Sequence, residues 1–405
     1  MSYEKKINID PATSIGMEYL SRYNIEPIVH DLRACMPPGH KEPEKKILVE
    51  RPKDFQTIRA IFLSSLNCFL VLDQDYSSQD PLLTANVDTV QPHARTIGQN
   101  TQLHIPTAKI LRQDANLRLR AEINPLTGET IQRDWNEKSL MRSAQVIKGI
   151  ANRDERETEL PYGESLKDGF DRFRRMYREQ GSPTYADRVG FEELRTYSGI
   201  MTARSSYALA FKHPNHNVLF VFEVCEDRFD TLQQNLQKKT ASLHEWEMEP
   251  KQVIGRLPSA INTPERFQEF LYGTMDGIGD YLVSKIPRSS HNYLSKAEIA
   301  SAHIAHLYGD CEYLIENGIR PAFNKAGQSL LPQQFALLSS DPLEEALGHA
   351  WGSLRSRAIR LGMERAKYIA AFSRPHMDAV GSGIRTLHFE SKPRTARPVE
   401  IVLAA

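Results

Sequence analysis

Residues 116–123 read NLRLRAEI, a strict alternation that places Leu117, Leu119, Ala121 and Ile123 on one face of an extended chain. Asn124, Pro125 and Gly128 follow as turn residues, so the chain is expected to return as a hairpin through Thr130 to Trp135. A second hairpin is expected from Met201–Phe211 to Asn217–Val224, with Pro214, Asn215 and Asn217 of HPNHN at the reversal. Its return strand, NVLFVFEV, is apolar enough to lie centrally in a sheet. Any fold for this chain must therefore hold paired antiparallel strands.

Helical spacing surrounds these strands. Phe55, Ile58, Ile61, Phe62 and Leu66 predict a helix over 53–66 between strands at 46–50 and 68–72, and a further helix is expected at 11–23. Helices are also expected at 136–153 and 163–180, joined by the charged, solvated linker RDERETELPYGE. From Thr263 the character changes: Thr263, Pro264 and Glu265 make a helix start, and Phe267, Phe270, Leu271, Met275, Ile278 and Leu282 follow at helical spacing. Two more helices are read at 295–317 and 341–374, and short strands at 384–389 and 399–403. The expected class is α+β, a mixed strand and helix N-terminal part followed by a mainly α-helical C-terminal part. The expected domains are 1–262, with a possible sub-boundary near 154–163, and 263–405.

The 405 residues hold 51 Lys plus Arg against 51 Asp plus Glu. That balance argues against a nucleic-acid-coating protein, whose affinity would come from many cationic contacts. Cys35, Cys68, Cys225 and Cys311 are scattered and suggest free thiols rather than a disulfide framework. The N-terminus lacks the apolar stretch of a signal peptide, and no run approaches the roughly 18 apolar residues of a membrane span. A cytoplasmic location is expected, with export by a route that needs no such leader left open.

The first candidate for chemistry is His303, His306 and Asp310, which share the apolar side of a predicted helix. A carboxylate turned inward needs a partner, and the trio suits either a buried polar network or direct metal ligation and acid/base chemistry with Zn, Mn or Fe. Asp73 and Asp75, at the end of the strand FLVL, form a fallback site able to hold Mg²⁺ or Mn²⁺ against phosphate oxygens. This pair resembles the paired aspartates of nucleotide-sugar glycosyltransferases and the first motif of HAD-like phosphatases. Ser77 stands where the latter pattern carries Thr or Val.

Gly273, Gly277 and Gly279, around Asp276, lie within a helical pattern and so point to close helix packing or a local break rather than a phosphate cradle. Arg357, Arg360, Lys367 and Arg374 form a basic stripe, either an anion-recognition face or a solvated one. Glu345 and His349 are expected on the solvated side of the same helix. Two functions compete on this reading. One is a metal-assisted hydrolase or transferase acting on a phosphate-bearing small molecule. The other is a non-catalytic binding or regulatory protein that engages an acidic partner through the basic helix.

Overall fold

Among the described residues, thirteen strands join in a single antiparallel sheet. They are β1 (Val29–His30), β2 (Glu42–Val49), β3 (Cys68–Leu72), β4 (Ile97–His104), β5 (Ala115–Ile123), β6 (Thr130–Ser139), β7 (Gln145–Ile147), β8 (Ile150–Arg153), β9 (Glu155–Leu160), β10 (Arg195–Lys212), β11 (Val218–Leu232), β12 (Lys239–Gly255) and β13 (Ser290–Asn292). The helices discussed below are α1 (Leu32–Cys35), α2 (Pro52–Ser64), α3 (Leu166–Glu179) and α4 (Pro264–Lys285). The computed structural model describes residues 20–64, 68–72, 97–104, 115–123, 130–139, 145–147, 150–296, 299–300 and 342–360, apart from 22, 38–41, 183, 233–235 and 358.

The main ladder runs β7-β8-β2-β12-β11-β10-β4-β5-β6-β9, with β1 beside β12, β13 beside β2 and β3 beside β10. Only Asp154 separates β8 from β9, so the two sides of the ladder meet in one stretch of chain. Its first half pairs with β2 (Glu44↔Ala151) and its second with β6 (Lys138↔Glu155). The sheet is thus closed on itself, which leaves no long edge on this seam. Counting β8 and β9 as one, eight strands form the ring, and β12 and β5 stand four strands apart in either direction.

Side chains alternate between the two faces of every strand, and here the usual polarity is inverted. The outward face is apolar. Ile47, Val49, Phe220, Phe222, Trp246 and Met248 pack beneath α2 and α4, which present Phe55, Ile58, Phe62, Phe267, Leu271, Met275 and Ile278. Leu117, Leu119, Trp135 and Leu160 pack beneath α3 through Leu166, Phe170 and Phe173. Met201, Ala203 and Leu232 meet Ala350 and Leu354 of the helical residues 343–357. The hairpins expected at 116–135 and 201–224 are present as β5–β6 and β10–β11.

The expected α+β division is corrected by this sheet. It is mostly antiparallel with few helices, and it extends from Val29 to Asn292, across the change of character anticipated at Thr263. Residues 136–153, expected as a helix, supply parts of β6, β7 and β8, and the expected solvated linker contains β9. The cause is the inverted interior: Asn136, Lys138, Arg153 and Glu155 are polar because they face the lumen, and a polar inward face reads in sequence as helix surface or linker.

Helix termini follow local chemistry. Ser165 caps α3 by accepting from the Asp168 amide, and Thr263 caps α4 by accepting from the Arg266 amide ahead of Pro264. In α4, Gly279 lies beside the aliphatic stem of Lys45, whose ammonium pairs with Asp276 of the same helix. At the end of β12, Gly255 has φ +118°, and a Cβ would lie 2.4 Å from the Asn217 carbonyl oxygen. Gly255→Ala is therefore expected to destabilise the fold by about 1–3 kcal/mol, measured by denaturant unfolding. A loss within error of zero would show that the turn at Asn217 yields freely.

Candidate functional site

Inward-facing positions of the barrel carry a dense set of ionised groups. Glu44 and Lys46 come from β2, Glu245, Glu247 and Glu249 from β12, Asp227 from β11 and Arg204 from β10. Across the ring are Arg118 and Arg120 of β5 with Asp134, Asn136 and Lys138 of β6, and Arg153, Glu155 and Glu157 of β8 and β9 link this side back to β2. The three successive inward glutamates of β12 thus lie on the opposite wall from the two successive inward arginines of β5. A closed barrel of this size encloses room for side chains or one small ligand.

The pairings form a continuous network. Lys46 bridges Glu44 (2.9 Å) and Glu247 (3.1 Å), and Arg204 grips Asp227 through both its Nε and Nη2 (2.9 and 2.8 Å) while reaching Glu247 at 3.0 Å. On the far wall Arg118 donates to Glu155 (2.8 Å) and Asn136, and Arg120 donates to Asp134 (2.9 Å) and Glu157 (2.8 Å). Lys138 joins the walls, contacting Glu44 and Glu155. Buried ion pairs are often no more stabilising than apolar packing of similar volume, so a network of this density points to a role beyond folding.

Ionisation follows the neighbours. Burial opposes charge on Glu44, Glu155, Asp227 and Glu247, but the adjacent lysines and arginines outweigh it and hold all four carboxyls below their ordinary range. Glu249 is the exception: burial together with Glu247, Glu44 and Glu223 raises it against the pull of Lys251. Two groups of three carboxylates each bring oxygens within 4.8 Å of one another, Glu44–Glu247–Glu249 and Asp227–Glu245–Glu247. Such all-oxygen sets suit hard cations such as Mg²⁺ or Mn²⁺ better than Zn²⁺.

On the far wall, burial with Glu157 beside it pushes Asp134 up to about 6 in spite of Arg120. Folding then favours the protonated acid, so this contribution to stability is full below an ordinary carboxyl value of about 4 and is lost as pH rises to about 6. Asp134→Asn should gain on the parent in melting temperature across that window. A difference between the two proteins that is independent of pH would contradict this assignment.

One end of the lumen is closed. Leu48, Ile200, Phe229 and Leu243, inward residues of four strands, pack against Leu294, Ile299 and Ala300 after β13. Lys296 enters the lumen from this segment and contacts Asp227 (2.9 Å), Glu247 (3.0 Å) and Glu245.

The residues singled out from sequence are placed as follows. His303, His306, Asp310, Asp73, Asp75, Lys367 and Arg374 lie outside the described residues. Arg357 is described, with its guanidinium 3.5 Å from Asp230 and donating to the Gln237 carbonyl at 2.9 Å, while Arg360, Glu345 and His349 are exposed. Asp276 lies outside the barrel, paired with Lys45 at 2.5 Å. The lumen residues were missed, although a signal existed in charges at every second position: EPEKK in β2, LRLR in β5 and EWEME in β12.

No family model and no curated protein matches the chain. Solved structures do show likeness. One is a putative adenylyl cyclase from Hippeastrum, described as having a dominant triphosphatase activity, at 15% identity and TM-score 0.33 over 64% of this chain and 95% of that one. Another is a putative adenylate cyclase from Bacillus halodurans, at 12% identity and TM-score 0.27 over 59% and 91%. A Pyrococcus horikoshii protein is similar at 12% identity and TM-score 0.29, over 64% and 97%. Among the described residues no helix is long and apolar enough to cross a membrane.

Proposed function

We propose that the protein is a divalent-cation-assisted hydrolase of a short phosphate chain, an inorganic triphosphate or a nucleoside triphosphate, bound within the barrel. The observation that carries this reading is the two-walled lumen, with Arg118 and Arg120 opposite Glu245, Glu247 and Glu249. A phosphate chain is anionic along its whole length and binds divalent cations, so it is complementary to both walls at once. The triphosphatase activity described for the Hippeastrum protein belongs to the same class, but the proposal rests on the lumen.

Within that reading, the guanidinium forks of Arg118 and Arg120 bind phosphate oxygens, exchanging their present carboxylate partners Glu155, Asp134 and Glu157 for substrate. Lys138 and Lys46 supply point charges between the walls. Glu44, Glu247 and Glu249 are the fitting ligands for Mg²⁺ or Mn²⁺, which when bound would neutralise charge on the phosphate and polarise it. Burial and the neighbouring carboxylates oppose the ionisation of Glu249, so a bound cation would favour its charged form. The closed end formed by Leu294, Ile299 and Ala300 excludes water from one side of the bound chain.

Phosphate release from inorganic triphosphate and from ATP, with and without Mg²⁺ or Mn²⁺, tests the proposal. Release that requires the metal and falls at least about tenfold in Arg118→Ala is expected, in keeping with loss of a charge-assisted contact. No release from either compound, together with no thermal protection by triphosphate, would reject it.

A further inference from the structure

The lumen offers two carboxylate trios that share Glu247, and they are not equivalent. Around Glu44–Glu247–Glu249 the cations are borne by barrel strands. Around Asp227–Glu245–Glu247 Arg204 of β10 reaches Asp227 and Glu247 from the wall, and one ammonium, that of Lys296, contacts all three acids. It comes from the segment that closes the barrel rather than from the wall. Its side chain is 8% exposed, and it sits beside the Phe229 ring, 5.7 Å from the centroid.

The approach of Lys296 is built into the closing segment. Asn292 donates to Glu245 at 2.5 Å and to the Leu294 carbonyl, and its own oxygen accepts from the Leu294 amide, which fixes the turn just before Lys296. Leu294, Ile299 and Ala300 anchor the segment on Ile200 and Phe229. The ammonium of Lys296 is thus held against all three carboxylates, with Asp227 at 2.9 Å, Glu247 at 3.0 Å and Glu245 completing the set. An ammonium touching three carboxylates at a position where hard cations bind has the charge sign, though not the valence, of a metal ion.

We propose that Lys296 is a tethered cation that fills the second trio, so that the lumen accepts one divalent ion, at Glu44–Glu247–Glu249, where the carboxylates alone would accept two. This rests on the reading of that first trio as the metal site. It assigns Lys296 the role of setting metal stoichiometry. The ammonium also stands where it would face the same bound phosphate chain from the closed end.

The test counts Mn²⁺ bound to the full chain by equilibrium dialysis, without substrate, so that it does not depend on hydrolysis. Lys296→Met is expected to bind one equivalent more than the parent, and adding Glu245→Gln to that variant should remove the gain. Glu245→Gln alone, with Lys296 present, should leave the parent's count unchanged. A folded Lys296→Met protein with the parent's count would overturn the proposal. So would a drop in count for Glu245→Gln, because the trio would then hold metal despite Lys296; that arm decides the matter if Lys296→Met does not fold. A parent that binds no Mn²⁺ would instead count against the first trio, and a gain of one equivalent in Lys296→Met would still uphold the role of Lys296.

Discussion

Glu247→Gln is expected to lower metal-dependent phosphate release by about 100-fold or more, the scale on which one directed charge contributes to a polar active site. Glu247 is the one carboxylate common to both acidic trios. It also receives Lys46 (3.1 Å), Arg204 (3.0 Å) and Lys296 (3.0 Å). An amide keeps the shape but lends a metal ion a weaker, uncharged oxygen. The fold should survive, because each of the three cations keeps another carboxylate: Lys46 has Glu44, Arg204 has Asp227, and Lys296 has Asp227 and Glu245. Circular dichroism and initial rates on the same preparation separate the two effects. A folded variant retaining more than about a tenth of the parent's metal-dependent rate would remove Glu247 from the centre of the mechanism.

The same substitution bears on pH. Glu44, Asp227 and Glu247 are held below the ordinary carboxyl range, so the stability they contribute is present above about pH 4 and is lost as pH falls below it. Asp134 has the opposite sign between about 4 and 6. The acid limb of the stability profile thus belongs to both walls, since Glu155 beside Lys138 and Arg118 is held down as well, and the loss toward neutrality to the raised carboxyls Asp134 and Glu249.

What could be read from the sequence follows from which face of each strand was apolar. β5 was legible because Leu117, Leu119 and Ala121 alternate with polar residues, and α4 because Phe267, Leu271, Met275, Ile278 and Leu282 share a stripe behind a Thr–Pro start. Yet the apolar half of that alternation faces outward, and the half that enters the lumen is Arg118 and Arg120. β9, ERETEL, and the end of β6, NEKS, carry so many charges that no hydrophobic period survives, and only closure of the barrel reveals that Glu155, Glu157 and Lys138 share one interior. A polar lumen cannot be told from solvent by local pattern. It takes the long-range pairing of β2 with β8, more than 100 residues away in sequence, to turn one into the other.

A buried ion pair outside the lumen provides the contrasting case. Arg59 of α2 donates to both carboxylate oxygens of Glu226 on β11, at 2.7 and 2.6 Å, and both side chains are almost fully buried between helix and barrel. Glu226 alternates with the inward Cys225 and Asp227, so this pair faces away from the lumen. Arg59→Ala should cost about 3–5 kcal/mol in urea unfolding, since it strips two charge-assisted hydrogen bonds from a buried carboxylate. Arg59→Met with Glu226→Leu removes both charges and keeps most of the volume, and should recover nearly all of that loss. The double variant should also keep the parent's rate of phosphate release, because neither side chain faces the lumen. If the double variant is as unstable as Arg59→Ala, the pair has a positioning role that apolar packing cannot replace. If instead it folds well but loses activity, catalysis depends on the seating of α2 against β11, and the functional unit extends beyond the lumen.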